Sequence, residues 1–387
     1  MTRKTLLIVG IILLTVILVI AGIFVRGGGK PVQAQLVSAA APADISGFAR
    51  VDGLRPLAFP ADFGPHPDFQ TEWWYTTGNL EAEDGQHFGY QLTFFRRALL
   101  PPTDRQQRPS DWASSQVYMA HFALTDVSAE HFQAFERLQR GAAGLACAQA
   151  APFQVWLEDW SVVETAPNVY HLDAAQDNVR LDLTLTDTKG PVLHGDRGFS
   201  QKGPQPGQAS YYYSLTHLET DGTVQVGQEN HAVHGLSWMD HEFSTSALAD
   251  DQVGWDWFSI QLSDGSELMV FQVRNADGSL DPFSSGTWIA QNGEIRHLSR
   301  SDFDIQALGT WKSPHSGATY PARWSVKVPQ LGLDLQIEPW LADQELNVSY
   351  SYWEGAVRVQ GQHLGQPVVG NGYVELTGYT GSMSGQF

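Results

Sequence analysis

Between Asn178 and Thr186 the side chains alternate without a break. Val179, Leu181, Leu183 and Leu185 face one way, and Arg180, Asp182, Thr184 and Thr186 the other. A period of two belongs to a strand with one face against a core. Phe88, Tyr90, Leu92 and Phe94 repeat the pattern. Trp257 to Val273 reads as a hairpin: WFSIQL, the turn Ser263-Asp264-Gly265, then ELMVFQV. Asp-Gly in a short connection is a strong hairpin signal. Asn275-Ala276-Asp277-Gly278 supplies the next turn, and Tyr352–Leu376 repeats the theme with VRVQGQ, a Gly-Gln turn and GYVEL. Ala129–Ala142 (AEHFQAFERLQRGA) is the one helical candidate, expected as an insertion or cap between strands.

These patterns predict an all-β chain. Its 13 Trp, 12 Tyr, 19 Phe and 37 Gly agree, since aromatics fit pleated surfaces and glycine fits tight turns. Short strands joined by such turns form an up-and-down meander. Closing that meander into an antiparallel barrel removes its edges, and a small barrel can hold one ligand. A β-sandwich follows equally from even strand spacing and stays open as an alternative. The 387 residues suggest more than one unit. The strand pattern restarts after Phe243, which divides the body into 44–243 and 244–387, preceded by a segment 1–43.

That first segment carries Thr5–Val25, TLLIVGIILLTVILVIAGIFV, without a charge. At about 1.5 Å per helical residue such a run spans roughly 30 Å, the depth of a bilayer core. Two readings fit. One is a retained transmembrane anchor, with the body on the periplasmic side of the inner membrane. The other is a signal cleaved after Val32-Gln33-Ala34, which would release the body to the periplasm. Gly27–Ala43 has linker composition in either case. The net charge of −19 makes nucleic acid and anionic headgroups poor partners for the body. The single cysteine, Cys147, excludes an intramolecular disulfide and lies too far from the N-terminus to be a lipid-modified cysteine.

Four aromatic blocks then stand in order. They are HPDFQTEWWY (His66–Tyr75), SYYYS (Ser210–Ser214), SWMDHEF (Ser237–Phe243) with GWDW (Gly254–Trp257), and YWEGAV (Tyr352–Val357) with GYVELTGY (Gly372–Tyr379). Over most of residues 60–380 the chain resembles the AttH-like family of predicted secreted hydrolases, relatives of carotenoid 1,2-hydratase. The resemblance implies two lipocalin-like barrels in tandem. It also implies the company of an ABC transporter permease and ATPase. In one respect the chain departs from the hydratase pattern of Trp directly followed by Asp: Met239 stands between Trp238 and Asp240.

SWMDHEF is the most informative block for chemistry. On a strand, Trp238, Asp240 and Glu242 share one face and Met239, His241 and Phe243 the other. Two carboxyls beside an indole are expected to raise at least one carboxyl pKa. A carboxylic acid in an apolar cavity is what alkene hydration needs: it gives a proton to the double bond, and aromatic faces from Trp238, Trp255 or Trp257 stabilise the cation. Asp240 is the expected acid, with Glu242 beside it. The bland reading is that both are structural acceptors for an Arg or for backbone amides. His66, Glu72, Trp73 and Trp74 form a second candidate cluster, either a ligand-facing lumen wall or an aromatic plug at a barrel base. His121 reads as a satisfied core histidine. No metal or other cofactor is expected: Asp240, His241 and Glu242 alternate faces, and no paired-Cys or His-x-x-x-His spacing lies nearby. A Ser-triad hydrolase is disfavoured by the lack of a Gly-x-Ser-x-Gly elbow; Ser284-Ser285-Gly286 reads as turn chemistry.

Three functions follow. The first is an extracytoplasmic carrier of an apolar molecule (a lipid, polyene or isoprenoid) serving an ABC transporter. The second is a hydratase or isomerase acting on an unsaturated apolar substrate. The third is a ligand-free transporter accessory.

Overall fold

The structure, a computed structural model, describes residues 45–105, 110–245 and 248–383. Thr5–Val25, and with it the choice between anchor and signal, lies outside the described residues. Among those described, no helix is long and apolar enough to cross a membrane. Regular structure there is strand, interrupted only by three-residue 3-10 turns such as Ala61–Phe63.

The first sheet contains β1 (Thr71–Ala82), β2 (His87–Ala98), β3 (Gln116–Asp126) and β4 (His131–Arg140). Shorter hairpin strands follow: β5 (Ala146–Ala150), β6 (Phe153–Leu157), β7 (Trp160–Ala166), β8 (Val169–Gln176) and β9 (Val179–Asp187). The brief β10 (Pro191–Leu193) and β11 (Phe199–Gln201) precede the long β12 (Ala209–Val226) and β13 (Glu229–Ser244). The order across the sheet is β4-β3-β2-β1-β13-β12-β9-β8-β7-β6-β5. The last strand thus pairs with the first, antiparallel, with Asp240 opposite Tyr75. The sheet is closed but for one seam, between β4 and β5. Arg137 of β4 reaches beyond β5 to the strands after it, donating to the Ala175 carbonyl of β8 at 3.1 Å and lying 4.2 Å from the Trp160 ring of β7.

The second sheet repeats this plan with β14 (Gln252–Leu262), β15 (Glu267–Asn275), β16 (Ser285–Ile289), β17 (Ile295–Ser299) and β18 (Asp304–Lys312). It continues with β19 (Thr319–Val328), β20 (Leu333–Pro339), β21 (Glu345–Asn347), β22 (Ser351–His363) and β23 (Gln366–Leu376). Its order is β17-β16-β15-β14-β23-β22-β20-β19-β18, so first and last strands pair again and the seam falls between β17 and β18. The expected Asp264-Gly265 turn joins β14 to β15: Gly265 takes φ +78°, and Asp264 accepts from the Ser266 amide. Two curled, nearly closed sheets replace the sandwich alternative.

The helix expected over Ala129–Ala142 is instead the edge strand β4, paired along its length with β3. Its Gln, Glu, Ala and Arg favour a helix, but local propensity is a weak prior. Here a complete ladder, the packing of Phe135 on Phe122 and the seam contacts of Arg137 outweigh it.

Each sheet encloses its own core. Trp74, Tyr90, Phe122, Leu172 and Leu183 lie inside the first, and Phe258, Trp324, Leu335 and Val357 inside the second. A third apolar cluster joins residues one position out of phase with these: Tyr75, Tyr212 and Trp238 meet Trp257, Phe271, Ala356 and Tyr373. Neighbouring residues of a strand point to opposite faces, so this cluster is formed by the outer surfaces of the two barrels. Hydrogen bonds cross the same junction, from the Tyr75 hydroxyl to Glu354 at 2.7 Å and from Asn79 to the Gly372 carbonyl at 2.9 Å.

Gly89 of β2 shows how close the barrels come: a Cβ there would lie 2.3 Å from the Ala356 Cβ on β22. We expect Gly89→Val to separate the barrels locally and lower stability by about 1–3 kcal/mol, the usual effect of overpacking. Urea unfolding checks this; wild-type stability in the variant would show that the junction tolerates displacement.

Candidate functional site

β13 contributes to two environments at once. Met239 packs in the first barrel's core, and His241 lies beside Trp74 there, ring centroids 4.7 Å apart. Trp238, Asp240 and Glu242 face outward, toward the second barrel. Register then fixes their neighbours: Asp240 lies between Tyr75 of β1 and Ser214 of β12, and Glu242 between Trp73 and Tyr212.

Asp240 is 4 % exposed. Three donors converge on it: the Tyr212 hydroxyl at 2.5 Å on Oδ2, and Trp238 Nε1 at 2.5 Å and the Ser214 hydroxyl on Oδ1. Burial nevertheless pushes its pKa up to about 7, against the lowering effect of those donors and with a small contribution from the Glu242 charge. Glu242, also buried, pairs with Lys202 Nζ at 3.4 Å. That ammonium lies 3.9 Å from the centroid of the Phe271 ring.

The second barrel supplies the opposite wall. Trp257 Nε1 donates to the Tyr212 hydroxyl at 2.9 Å, so Tyr212 relays this donor to Asp240. Trp255 Nε1 donates to Glu375 Oε2 at 2.7 Å. Burial pushes Glu375 up to about 8, opposed by the Trp255 hydrogen bond and helped by the charges of Asp240 and Glu242. Behind it the wholly buried Glu354 accepts from Tyr75 and is held well above the usual carboxylate range, by burial first and by Glu375 second. The resulting pocket has a cavity volume of about 80 Å³. Its walls include Trp73, Trp255, Trp257 and Tyr352, with Asp240, Glu242, Glu375 and Lys202 as the ionisable groups.

Of the residues singled out from the sequence, Asp240, Glu242, Trp73, Trp255 and Trp257 therefore meet in one pocket. Trp238 stands behind, 1 % exposed, holding Asp240. Glu72 and Trp74 do not join them, because they occupy the opposite face of β1. Trp74 donates to the Phe63 carbonyl at 3.0 Å, where the turn Ala61–Phe63 plugs the barrel base. Glu72 accepts from the His66 amide at 2.9 Å and from Arg96 Nε at 2.7 Å, and contacts ring nitrogens of His66 and His241 at 2.7 and 2.8 Å. The second nitrogens of those rings are engaged by Asp62 and Tyr213, each at 2.7 Å. His66, Glu72 and His241 thus converge closely enough to hold a metal ion, but their atoms are already committed to one another. The arrangement is that of a hydrogen-bonded plug, and the lumen-wall reading of Glu72 and Trp74 gives way to it. His121 is buried between Tyr352, at 2.6 Å, and Glu136, at 3.1 Å. Ser284 caps a turn, donating to the Asp281 carbonyl at 2.7 Å.

Sequence reasoning missed Glu375, Glu354, Lys202 and the donors Tyr212 and Ser214. A signal was present for four of them, all but Lys202. GYVEL and YWEGAV each place an acid within an aromatic strand, and SYYYS places hydroxyls where β12 meets β13.

The AttH-like family description matches residues 50–379, and the chain belongs to that family. An AttH protein of Nitrosomonas europaea, solved by crystallography, is 36% identical with a TM-score of 0.76, over 86% of this chain and 99% of that one. Kievitone hydratase from Nectria haematococca has a TM-score of 0.64 at 16% identity, over 86% of this chain and 96% of its own, a likeness of fold. No curated protein matches the sequence.

The raised carboxyl of Asp240 makes stability depend on pH. Its ordinary value is 3.8 and its folded value about 7. Between these the unfolded chain has released a proton that the folded chain retains, so rising pH disfavours folding through this window. Asp240→Asn removes that contribution. In urea titrations the variant should lose less stability than wild type between about pH 5 and about pH 8, and Glu375→Gln should act in the same direction. Equal losses in Asp240→Asn and wild type would show that Asp240 is ionised throughout.

Proposed function

We propose that the pocket between the barrels is an active site that adds water to, or isomerises, an unsaturated apolar substrate, with Asp240 as the acid. The observation that carries this reading is a carboxyl able to hold its proton near neutral pH inside an aromatic-walled pocket. An alkene carbon accepts the Asp240 proton, forming a C–H bond and leaving a carbocation. The faces of Trp255 and Trp257 stabilise that charge, as aromatic rings stabilise ammonium groups. Water then forms the new C–O bond. Glu242, a carboxylate beside Lys202, takes the proton that water gives up. A general acid of this kind contributes about 10²–10⁴-fold to rate. The existence of a kievitone hydratase with the same fold supports the reading.

A carrier is the second reading, favoured by the mainly aromatic walls. In it the pocket captures a lipid, polyene or isoprenoid and passes it to an ABC transporter permease. Both readings place the body outside the cytoplasm, held at the membrane by Thr5–Val25 or freed from it by cleavage.

The test incubates the full-length protein with an isoprenoid polyene in ¹⁸O-water and follows the product by mass spectrometry, with indole quenching as the measure of binding. The enzyme reading expects label in the product. It also expects Asp240→Asn to lower turnover by about 10²-fold or more while quenching persists. Quenching by wild type and variant alike, with the ligand recovered unchanged, would establish the carrier instead.

A further inference from the structure

Asp240 gives up a proton in each proposed cycle, while the water's proton goes to a different carboxylate. Its own proton must come back by some route, and a bound substrate occupies the pocket side. Resting on that reading of Asp240, we infer that Ser214, His194 and Thr287 form a proton wire that reloads Asp240 from the second barrel's outer surface.

The wire is continuous from Asp240 to Thr287. The Ser214 hydroxyl touches Asp240 Oδ1. Ser214 Oγ lies 2.6 Å from His194 Nε2, and His194 Nδ1 lies 2.9 Å from Thr287 Oγ1. Ser214, His194 and Thr287 are each no more than 1 % exposed, so no solvent competes for these contacts. Ser214 belongs to the first barrel and Thr287, on β16, to the second. His194 bridges them from the end of β10. Across the ladder from the buried Thr287 stands His297 of β17, an exposed residue, so the protein surface lies one ladder position beyond the far end of the wire.

Every member can both give and receive a proton, which a wire requires. With Asp240 ionised, Thr287 donates to Nδ1, the Nε2–H donates to Ser214, and Ser214 donates to the carboxylate. Reloading shifts each proton one place. Ser214 gives its proton to Asp240 and receives the Nε2 proton. Nδ1 receives the Thr287 proton, and Thr287, itself buried, is replenished from the side of the exposed His297. One proton enters and one reaches Asp240, Glu242 sheds to solvent the proton it took from water as product leaves, and the hydroxyls and the imidazole ring then turn back to their starting polarity. The imidazole stays neutral between steps, in keeping with burial and the Lys202 charge, which hold His194 well below its ordinary value. The other polar neighbours of Asp240 do not offer this path. Trp238 is a donor only. Tyr212 receives from Trp257, another donor only. Glu242 and Glu375 approach from the pocket, the side that substrate fills.

Ser214, His194 and Thr287 are positioning residues, and the readout must be kinetic. Full-length protein, its pocket filled by a saturated isoprenoid that cannot accept a proton, is subjected to a rapid pH jump across neutrality, and tryptophan fluorescence is followed, since Trp238 donates directly to Asp240. The phase that Asp240→Asn lacks belongs to Asp240. We expect that phase to keep its amplitude and midpoint in His194→Phe and in the isosteric Thr287→Val but to slow by about tenfold or more. Thermal melts identify any variant that fails to fold, and Thr287→Val carries the test should His194→Phe be one. An Asp240 phase of wild-type rate in the folded variants would overturn the wire and leave the acid assignment standing. Absence of any Asp240 phase in wild type would overturn both.

Discussion

Trp257 of the second barrel donates to Tyr212 of the first at 2.9 Å, and through it to Asp240. That contact depends on two outer barrel surfaces lying against each other, and the site depends on the same apposition. A lone barrel would leave Asp240 and Glu242 on a wet surface, where carboxyls ionise at ordinary pH. Docking the second barrel removes the water, supplies Trp255, Trp257 and Glu375, and completes the relay of donors. The close approach of Gly89 to Ala356 and the bond from Tyr75 to Glu354 hold the two surfaces in this arrangement.

The electrostatics of the junction run against ordinary folding preference. Asp240, Glu242, Glu375 and Glu354 gather in a region where Lys202 is the basic group lining the pocket. Three donors favour the ionised form of Asp240, yet burial outweighs them. The contrast with Glu72 is instructive. It is just as buried, but Arg96 and two imidazoles surround it, and it is held well below its ordinary value. Two acids enclosed in one molecule thus differ because one was given a full set of cationic and hydrogen-bonding partners and the other was not. The well-partnered acid serves as a plug. The under-compensated one sits where a proton can be delivered, as is common for groups at functional sites.

Much of the fold was legible in the sequence. Alternation in Asn178–Thr186 and the Asp264-Gly265 turn marked strands and hairpins, and the two faces of SWMDHEF were assignable from period alone. Which face looks inward was not. Trp73 and Trp74, or Asp240 and His241, are adjacent and all largely enclosed, because β1 and β13 bury one face in the barrel and the other at the junction. A strand buried on both faces carries no polar side to orient it. The same ambiguity left a lumen wall and a plug both open for Glu72 and Trp74, while the pocket lies outside both lumens. β4 was misread because an edge strand with half-exposed Gln, Glu and Arg has the composition of a surface helix. Glu375 and Glu354 are distant in sequence from Asp240; the pairing of β14 with β23, and of β23 with β22, carries them to the junction.

The central claim is that Asp240 holds a proton near neutral pH because the second barrel excludes water from it. Infrared difference spectroscopy of the full-length protein, with aspartate carboxyls isotopically labelled, reads this directly. A protonated-carboxyl stretch that titrates with a midpoint near the expected value of about 7, and that disappears in Asp240→Asn, is the predicted result. An aspartate spectrum showing only ionised carboxylate at neutral pH, unchanged by Asp240→Asn in the protonated region, would contradict it.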